Sequence, residues 1–596
     1  MLKSYIQSNN NSVQLFVDGR DVPAMAYTTY FDERNCYEEF ADAGYRIFFV
    51  NMSFTKLPIN SVSTGFTPFN TGVFEDKEKE DYSEFEYSVR EVLKSCPEAY
   101  IFPRLNISMP KWWVDTHPDD VVITPKGGYR EILFSDAFRK DGAEFIKRAV
   151  KHIKNSDYAH RIAGWQICGG LTQEWFHHDG GRSICKGAQM PYAIRHKERY
   201  GEDGVFLPDP REYKYNENKE LSDNAMRYSI FCNEEVAKTI DIFAGTIKEE
   251  TDNSQVVGTF YGYAYEPSWQ GSHGLSTLLN SPNIDFFSSP NAYLKNRSFG
   301  IDWVDMIPVD SIKHHGKMAF IECDIRTHLT TSVQDSRPGV YPDDIYKTKD
   351  GKSVWVGPPT AELSRDALRK CFAHQITKDS AIWWFDMWGG WYSDTMLMNE
   401  LKEMQRIYST KHMCTNSPGA EIVFFADEDA YAGIFDDSPQ LAAINETRIA
   451  MSSTGVPYDL FMVEDAPDIL GKYKGAVFVM PVNSEAGKRA IELCEKMGIP
   501  YICPDCNTFS ISQEDLCGFY KKNEIHFFGD EGDVVYFGNG YIGLHSKKSG
   551  TKKLRLPERV EFSGTVFGTY DVKTENGFIS FETKDNATAL FKLNVR

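Results

Sequence analysis

Eight short runs rich in β-branched and aromatic residues punctuate the first two thirds of the chain, at 23–30, 45–52, 99–107, 162–169, 256–263, 284–293, 318–324 and 382–388. Between them lie stretches with the spacing of amphipathic helices, at 35–43, 82–95, 137–153 and 230–247. Such alternation is the sequence form of a parallel sheet covered by helices. Eight units of it predict an α/β fold, a (β/α)8 TIM barrel, whose active site stands at the carboxyl ends of its strands.

Long segments at 53–81, 171–221 and 327–364 each follow a strand, so they belong on that same face. With an N-terminal hairpin, 13–17 turning at Asp18-Gly19, the barrel unit is expected over residues 1–413. A polar, Pro/Gly-bearing linker then opens a second unit, 414–526, with strands at 421–425, 458–462, 476–480 and 501–503 and helices at 440–453 and 484–497. This predicts a small doubly wound, flavodoxin- or amidotransferase-like domain. Its turn Met480-Pro481-Val482-Asn483 has no G-x-S-x-G or Gly-flanked Cys, so a structural or assembly role is expected instead of hydrolysis. Short alternating strands over 527–596 predict a small C-terminal β-sandwich.

Charge narrows the partners. Lys and Arg number 65 against 85 Asp and Glu, a formal net charge of −20 with no basic block, which argues against nucleic acid and anionic membrane surfaces. Residues 1–7 lack the apolar core of a signal peptide and no run of about 18 apolar residues occurs, so a cytoplasmic protein is expected. The twelve cysteines read as reduced thiols, and Cys503-Pro504-Asp505-Cys506 has no second pair with which to hold zinc. No metal or cofactor is expected.

Two lone acids close apolar runs. Glu174 follows the break at Gly169-Gly170, flanked by Gln173 and Trp175, and Glu322 ends the seventh run. Strands four and seven of an eight-stranded barrel nearly face each other, and glycoside cleavage needs such a pair: one acid to protonate the leaving oxygen, one carboxylate to attack the anomeric carbon or direct water at it. Flat side chains for sugar faces are available in Trp112, Trp113, Trp175, Tyr261, Trp269, Tyr293, Trp384, Trp388 and Trp391, with Asp386 inside the densest cluster, whereas Trp165 and Trp383 are expected in the core. Adjacent His177 and His178 point to opposite sides of an extended chain, so His178 reads as a polar pocket wall or loop anchor and not as a metal ligand. Arg104 and Asn106, ending strand three, could bind a hydroxyl, or Arg104 could hold Glu322 ionised.

The order of barrel, flavodoxin-like domain and β-domain, with acids ending strands four and seven, resembles glycoside hydrolase family 42 β-galactosidases and their relatives among retaining (β/α)8 glycosidases. Met109-Pro110-Lys111-Trp112-Trp113 with His117-Pro118 is similar to that family's loop after strand three, and 384–391 to its strand eight. The resemblance implies that Glu174 is the acid/base, Glu322 the nucleophile, short oligosaccharides or glycosides the substrates, and a homo-oligomer, a trimer, the assembly. Gln173 stands where the clan usually has Asn, which widens the glycone to mannose, glucose or arabinopyranose. A barrel that binds sugar without cleaving it is the alternative of another class.

Overall fold

The structure, a computed structural model, describes the chain except for residues 10–11, 57–68, 126, 217–219, 266–270, 332–335, 337–355, 412–418, 437, 481–483, 505–509, 596 and the side chain of 296. A closed barrel is formed by β1 (Met25–Thr29), β2 (Ile47–Ser53), β3 (Tyr100–Ile107), β4 (Gly164–Gly169), β5 (Val256–Phe260), β6 (Phe286–Ser288), β7 (Met318–Cys323) and β8 (Ala381–Asp386). All eight expected runs supply a strand. The sixth is shorter than its run because Pro290 has no N–H to give the ladder, and only an isolated bridge joins it to Glu322.

The covering helices follow the apolar spacing. In Asp136–Lys154, Ser135 caps the first turn by accepting from the Phe138 N–H, and Phe138, Phe145, Ile146, Ala149, Val150 and Ile153 are buried. A fully buried large apolar side chain of this kind contributes about 1.5–3 kcal/mol, so the stripe fixes the helix on the barrel.

Residues paired across neighbouring parallel strands share a face. Arg104 pairs with Gln166, Gln166 with Gly258, Gly258 with Phe286, Phe286 with Met318 and Glu322 with Trp383, so all of these point into the barrel. Phe49, Phe102, Phe286, Phe320 and Trp383 pack at centroid distances of 5.3 to 6.3 Å as an apolar floor. Gly258 is required there, because a Cβ would lie 2.2 Å from the Phe286 ring. Directly above this floor Arg104, Gln166, Ser288 and Glu322 make the first polar layer.

The N-terminal hairpin is a three-stranded sheet. Ser4–Asn9 joins Ser12–Val17 and Arg20–Val22, and its polar composition hid it from a search for apolar runs. The second unit is a parallel sheet of Ile422–Ala426, Tyr458–Met462, Gly475–Phe478 and Tyr501–Ile502, with Ile422–Ala426 inside. The C-terminal residues form a four-stranded and a three-stranded antiparallel sheet around Phe528, Leu544, Ile579 and Phe591. Among the described residues no helix is long and apolar enough to cross a membrane.

Candidate active site

Glu174 sits not on β4 but on the tight turn after it. The Trp175 N–H donates to the Gly169 carbonyl at 2.7 Å and the Leu171 N–H to the Phe176 carbonyl at 2.8 Å. Closing this turn puts Gly170, Thr172, Gln173 and Trp175 at φ of 66°, 58°, 68° and 62°. For the three non-glycine residues this is a strained backbone, at about 1–2 kcal/mol each. The half-buried Glu174 carboxylate accepts from Tyr263 Oη at 2.7 Å and from the Thr172 hydroxyl. Burial raises its pKa, opposed by those two hydrogen bonds and by Arg104.

Glu322 is part of β7 itself, held by its N–H to the Ser289 carbonyl at 2.9 Å. It is 4% exposed. Burial pushes its pKa up to about 8 against the attraction of Arg104, while the Glu174 charge raises it further and Arg297 and Arg326 draw it down. The Glu174 charge thus disfavours ionisation of Glu322. Arg104 lies near both acids, donating to Gln166 Oε1 at 2.9 Å, Tyr30 Oη at 3.0 Å and Asn51 Oδ1 at 3.4 Å. Beside Glu322, Asp324 pairs with Arg326 and accepts from Tyr293 Oη at 2.5 Å, while Arg297 stacks at 4.1 Å on the Tyr293 ring.

Of the residues predicted from sequence, Arg104, Gln173, Tyr293 and Trp388 lie around the acids. Gln173 Oε1 accepts from Tyr30 at 3.3 Å and its buried Nε2 has no protein partner among the described residues. Trp388 packs 6.2 Å from Tyr30 and 5.1 Å from Phe31. Asn106 also ends on the inner face, its Nδ2 donating to Ser53 Oγ at 3.3 Å and its buried Oδ1 without a partner among the described residues.

Seven others are placed elsewhere. Trp384 faces the helices and donates to Tyr45 Oη at 2.9 Å, because its neighbour Trp383, paired with inward Glu322, takes the inner face. Trp383 thus lies in the floor, 5.5 Å from the Arg104 guanidinium. Trp175 turns outward over Gly169 and donates to Thr259 Oγ1 at 3.1 Å. Tyr261 ties its own loop, donating to the Gly271 carbonyl and accepting from the Gly274 N–H, both at 3.0 Å. His178 contacts buried Glu131 at 3.1 Å as a loop anchor. Asp386 accepts from Tyr27 Oη at 2.8 Å and from the N–H groups of Gly390 and Trp391, and so shapes the turn after β8. Trp112 donates to the Phe74 carbonyl at 2.9 Å and packs on Phe145, and Trp113 donates to Asp141 at 2.7 Å. Trp269, residues 481–483 and Cys506 lie outside the described residues.

Sequence reasoning missed Tyr30, Gln166, Asn51, Thr172, Tyr263 and the Asp324–Arg326 pair. Strand parity would have found Gln166 and Asn51, two and four residues from inward Gly164 and Ile47. Tyr30, Thr172 and Tyr263 lie just past strand ends, where periodicity stops. Among the described residues no cluster of His, Cys, Asp and Glu has the arrangement of a metal site.

No family model matches the chain, and no curated protein is similar to it in sequence. Solved structures are similar in fold. The β-galactosidase from Rahnella sp. R3 superposes with a TM-score of 0.65 over the whole of both chains at 10% identity. That from Bacillus circulans sp. alkalophilus gives 0.60 at 11% identity, covering 95% of this chain and 98% of its own. A family 42 exo-carrageenase from Bacteroides ovatus gives 0.60 at 12%, covering 99% of this chain and 84% of its own. The barrel, the parallel α/β sheet and the β-sandwich thus follow one another here along the whole length of a fold shared with family 42 glycosidase structures.

Proposed function

We propose that this chain is a retaining, exo-acting β-glycosidase that removes terminal non-reducing β-D-galactosyl groups from short oligosaccharides in the cytoplasm. The observation that carries the reading is the placing of Glu174 and Glu322 at the mouth of a closed barrel, with Arg104 and Gln166 beside them over an apolar floor that includes Trp383. Glu174, on a turn and hydrogen-bonded by neutral hydroxyls, protonates the glycosidic oxygen and later takes a proton from water. Glu322, fixed in a strand among three guanidiniums, attacks the anomeric carbon. Retention requires the two carboxyl groups about 5–5.5 Å apart in the working enzyme. Binding without cleavage is disfavoured by two acids kept in one buried site at a cost to their ionisation.

Galactose as the glycone follows the names of the similar structures, and Gln173 supports a second reading in which mannose, glucose or arabinopyranose is bound. The test is a panel of p-nitrophenyl β-glycosides with wild type and Glu322→Gly, azide being added to the variant. Turnover of one glycoside by wild type, loss in the variant and recovery as the α-glycosyl azide support the proposal. A panel left untouched, together with untouched natural oligosaccharides, refutes it.

A further inference from the structure

The middle α/β domain holds one particular segment of the barrel, the chain leaving β5. Tyr263 of that segment donates to Glu174 at 2.7 Å. Two residues on, Tyr265 lies buried under the second domain: the Arg448 guanidinium stacks on its ring at 3.8 Å, and Asn445 Nδ2 donates to its carbonyl at 3.4 Å. Both come from the helix Pro439–Ser452. The far end of the segment is held from the same domain by Glu428, which is buried and accepts from the Leu275 N–H at 2.8 Å, the Ser276 N–H at 3.3 Å and Ser276 Oγ at 2.9 Å. Between those ends, Gly271 approaches the Glu174 turn so closely that a Cβ would stand 3.2 Å from the Trp175 carbonyl. The segment thus meets the acid's turn at Tyr263 and Gly271, and the second domain at Tyr265 and Leu275-Ser276.

We propose that the middle domain positions the acid/base: Arg448, Asn445 and Glu428 clamp both ends of the β5 segment and, through Tyr263, set the Glu174 carboxyl. This rests on the glycosidase reading and assigns the second domain a task inside the catalytic unit beyond assembly. Burying Arg448 and Glu428 is costly unless their hydrogen bonds are made, so the clamp has essentially one geometry. The Tyr263 hydroxyl is delivered to Glu174 by that geometry and by no covalent neighbour of the acid.

A leaving-group comparison tests it. Tyr263→Phe, Asn445→Ala, Arg448→Met and Glu428→Gln are each assayed on a glycoside with a poor leaving group and on its 2,4-dinitrophenyl counterpart, which leaves without a proton. Each is expected to lower kcat/KM about 10-fold on the first and less than about 2-fold on the second, and to move the same limb of the pH profile in the same direction as Tyr263→Phe. Combined with Tyr263→Phe, Asn445→Ala and Arg448→Met should add nothing further, and Arg448→Lys should recover part of the loss. Equal losses on both substrates, an unmoved pH profile or additive double variants overturn the proposal. If Arg448→Met or Glu428→Gln does not fold, Asn445→Ala, which removes only the bonds to the Tyr265 carbonyl and from Arg448 Nη1, decides. A wild type with Glu174-dependent hydrolysis but no such coupling refutes this inference alone, whereas a wild type inactive on every glycoside refutes it together with the function.

Discussion

The carboxyl end of β4 and that of β7 each deliver one acid to the barrel mouth, and they do so in opposite ways. Glu322 belongs to its strand, with a ladder hydrogen bond to Ser289 and cationic neighbours Arg104, Arg297 and Arg326. Glu174 hangs from a turn with three non-glycine residues at positive φ and is met by the neutral hydroxyls of Thr172 and Tyr263. A group that must strike one carbon benefits from a rigid mount and positive surroundings that stabilise its charge. A group that must give and then take a proton needs a site where neither form is locked, and hydroxyl partners serve both.

The comparison breaks first at the acids themselves. Glu322→Gly should lower kcat/KM by on the order of 10⁴-fold or more on every substrate, measured as initial rates. Glu174→Ala should cost about 10²–10⁴-fold with poor leaving groups and far less with 2,4-dinitrophenyl glycosides. Equal losses in both variants on both substrates would erase the difference between the two strand ends.

The pH dependence sharpens it. Glu322 is pushed up to about 8 from its ordinary 4.5, so the folded protein keeps a proton that the unfolded chain releases above 4.5. Stability is therefore lost as pH rises from 4.5 through about 8, and the penalty is full beyond that. Glu322→Gln removes it, and calorimetry should show the variant melting above wild type at about pH 9, with the gap closing towards pH 4.5. In kinetics the pair should give a bell-shaped kcat/KM with its upper arm near 8. No stability gap at about pH 9 would mean that the guanidiniums hold Glu322 ionised at no cost.

The smallest effects belong to aromatic residues outside the mouth. Trp112→Phe and Trp384→Phe should change KM by less than about 2-fold, and Trp384→Phe should lower the melting temperature through its lost bond to Tyr45. A large rise in KM for either would place it in the sugar site after all.

Which of these features the sequence reveals follows from how each is encoded. Apolar runs are local, so all eight barrel strands and the helix Asp136–Lys154 can be read directly, and the acids follow once strands four and seven are counted. Facing is a matter of parity: Glu322 inward fixes Trp383 inward and Trp384 outward, a step that aromatic richness alone does not supply. Beyond a strand's last residue even parity fails. Gly262 at φ 113° turns the chain so that Tyr261 anchors the loop while Tyr263 reaches the acid. The turn-shaping role of Asp386 is hidden for another reason, since its partner Tyr27 lies on the first barrel strand, far away in sequence.

The most direct measurement is to trap the glycosyl-enzyme with a 2-deoxy-2-fluoro-β-galactosyl fluoride, or its counterpart for whichever glycone the panel identifies, and to sequence the labelled peptide by mass spectrometry. The account predicts one label per chain, on Glu322. A label on Glu174, or an active wild type that takes none and releases product of inverted configuration, would contradict it.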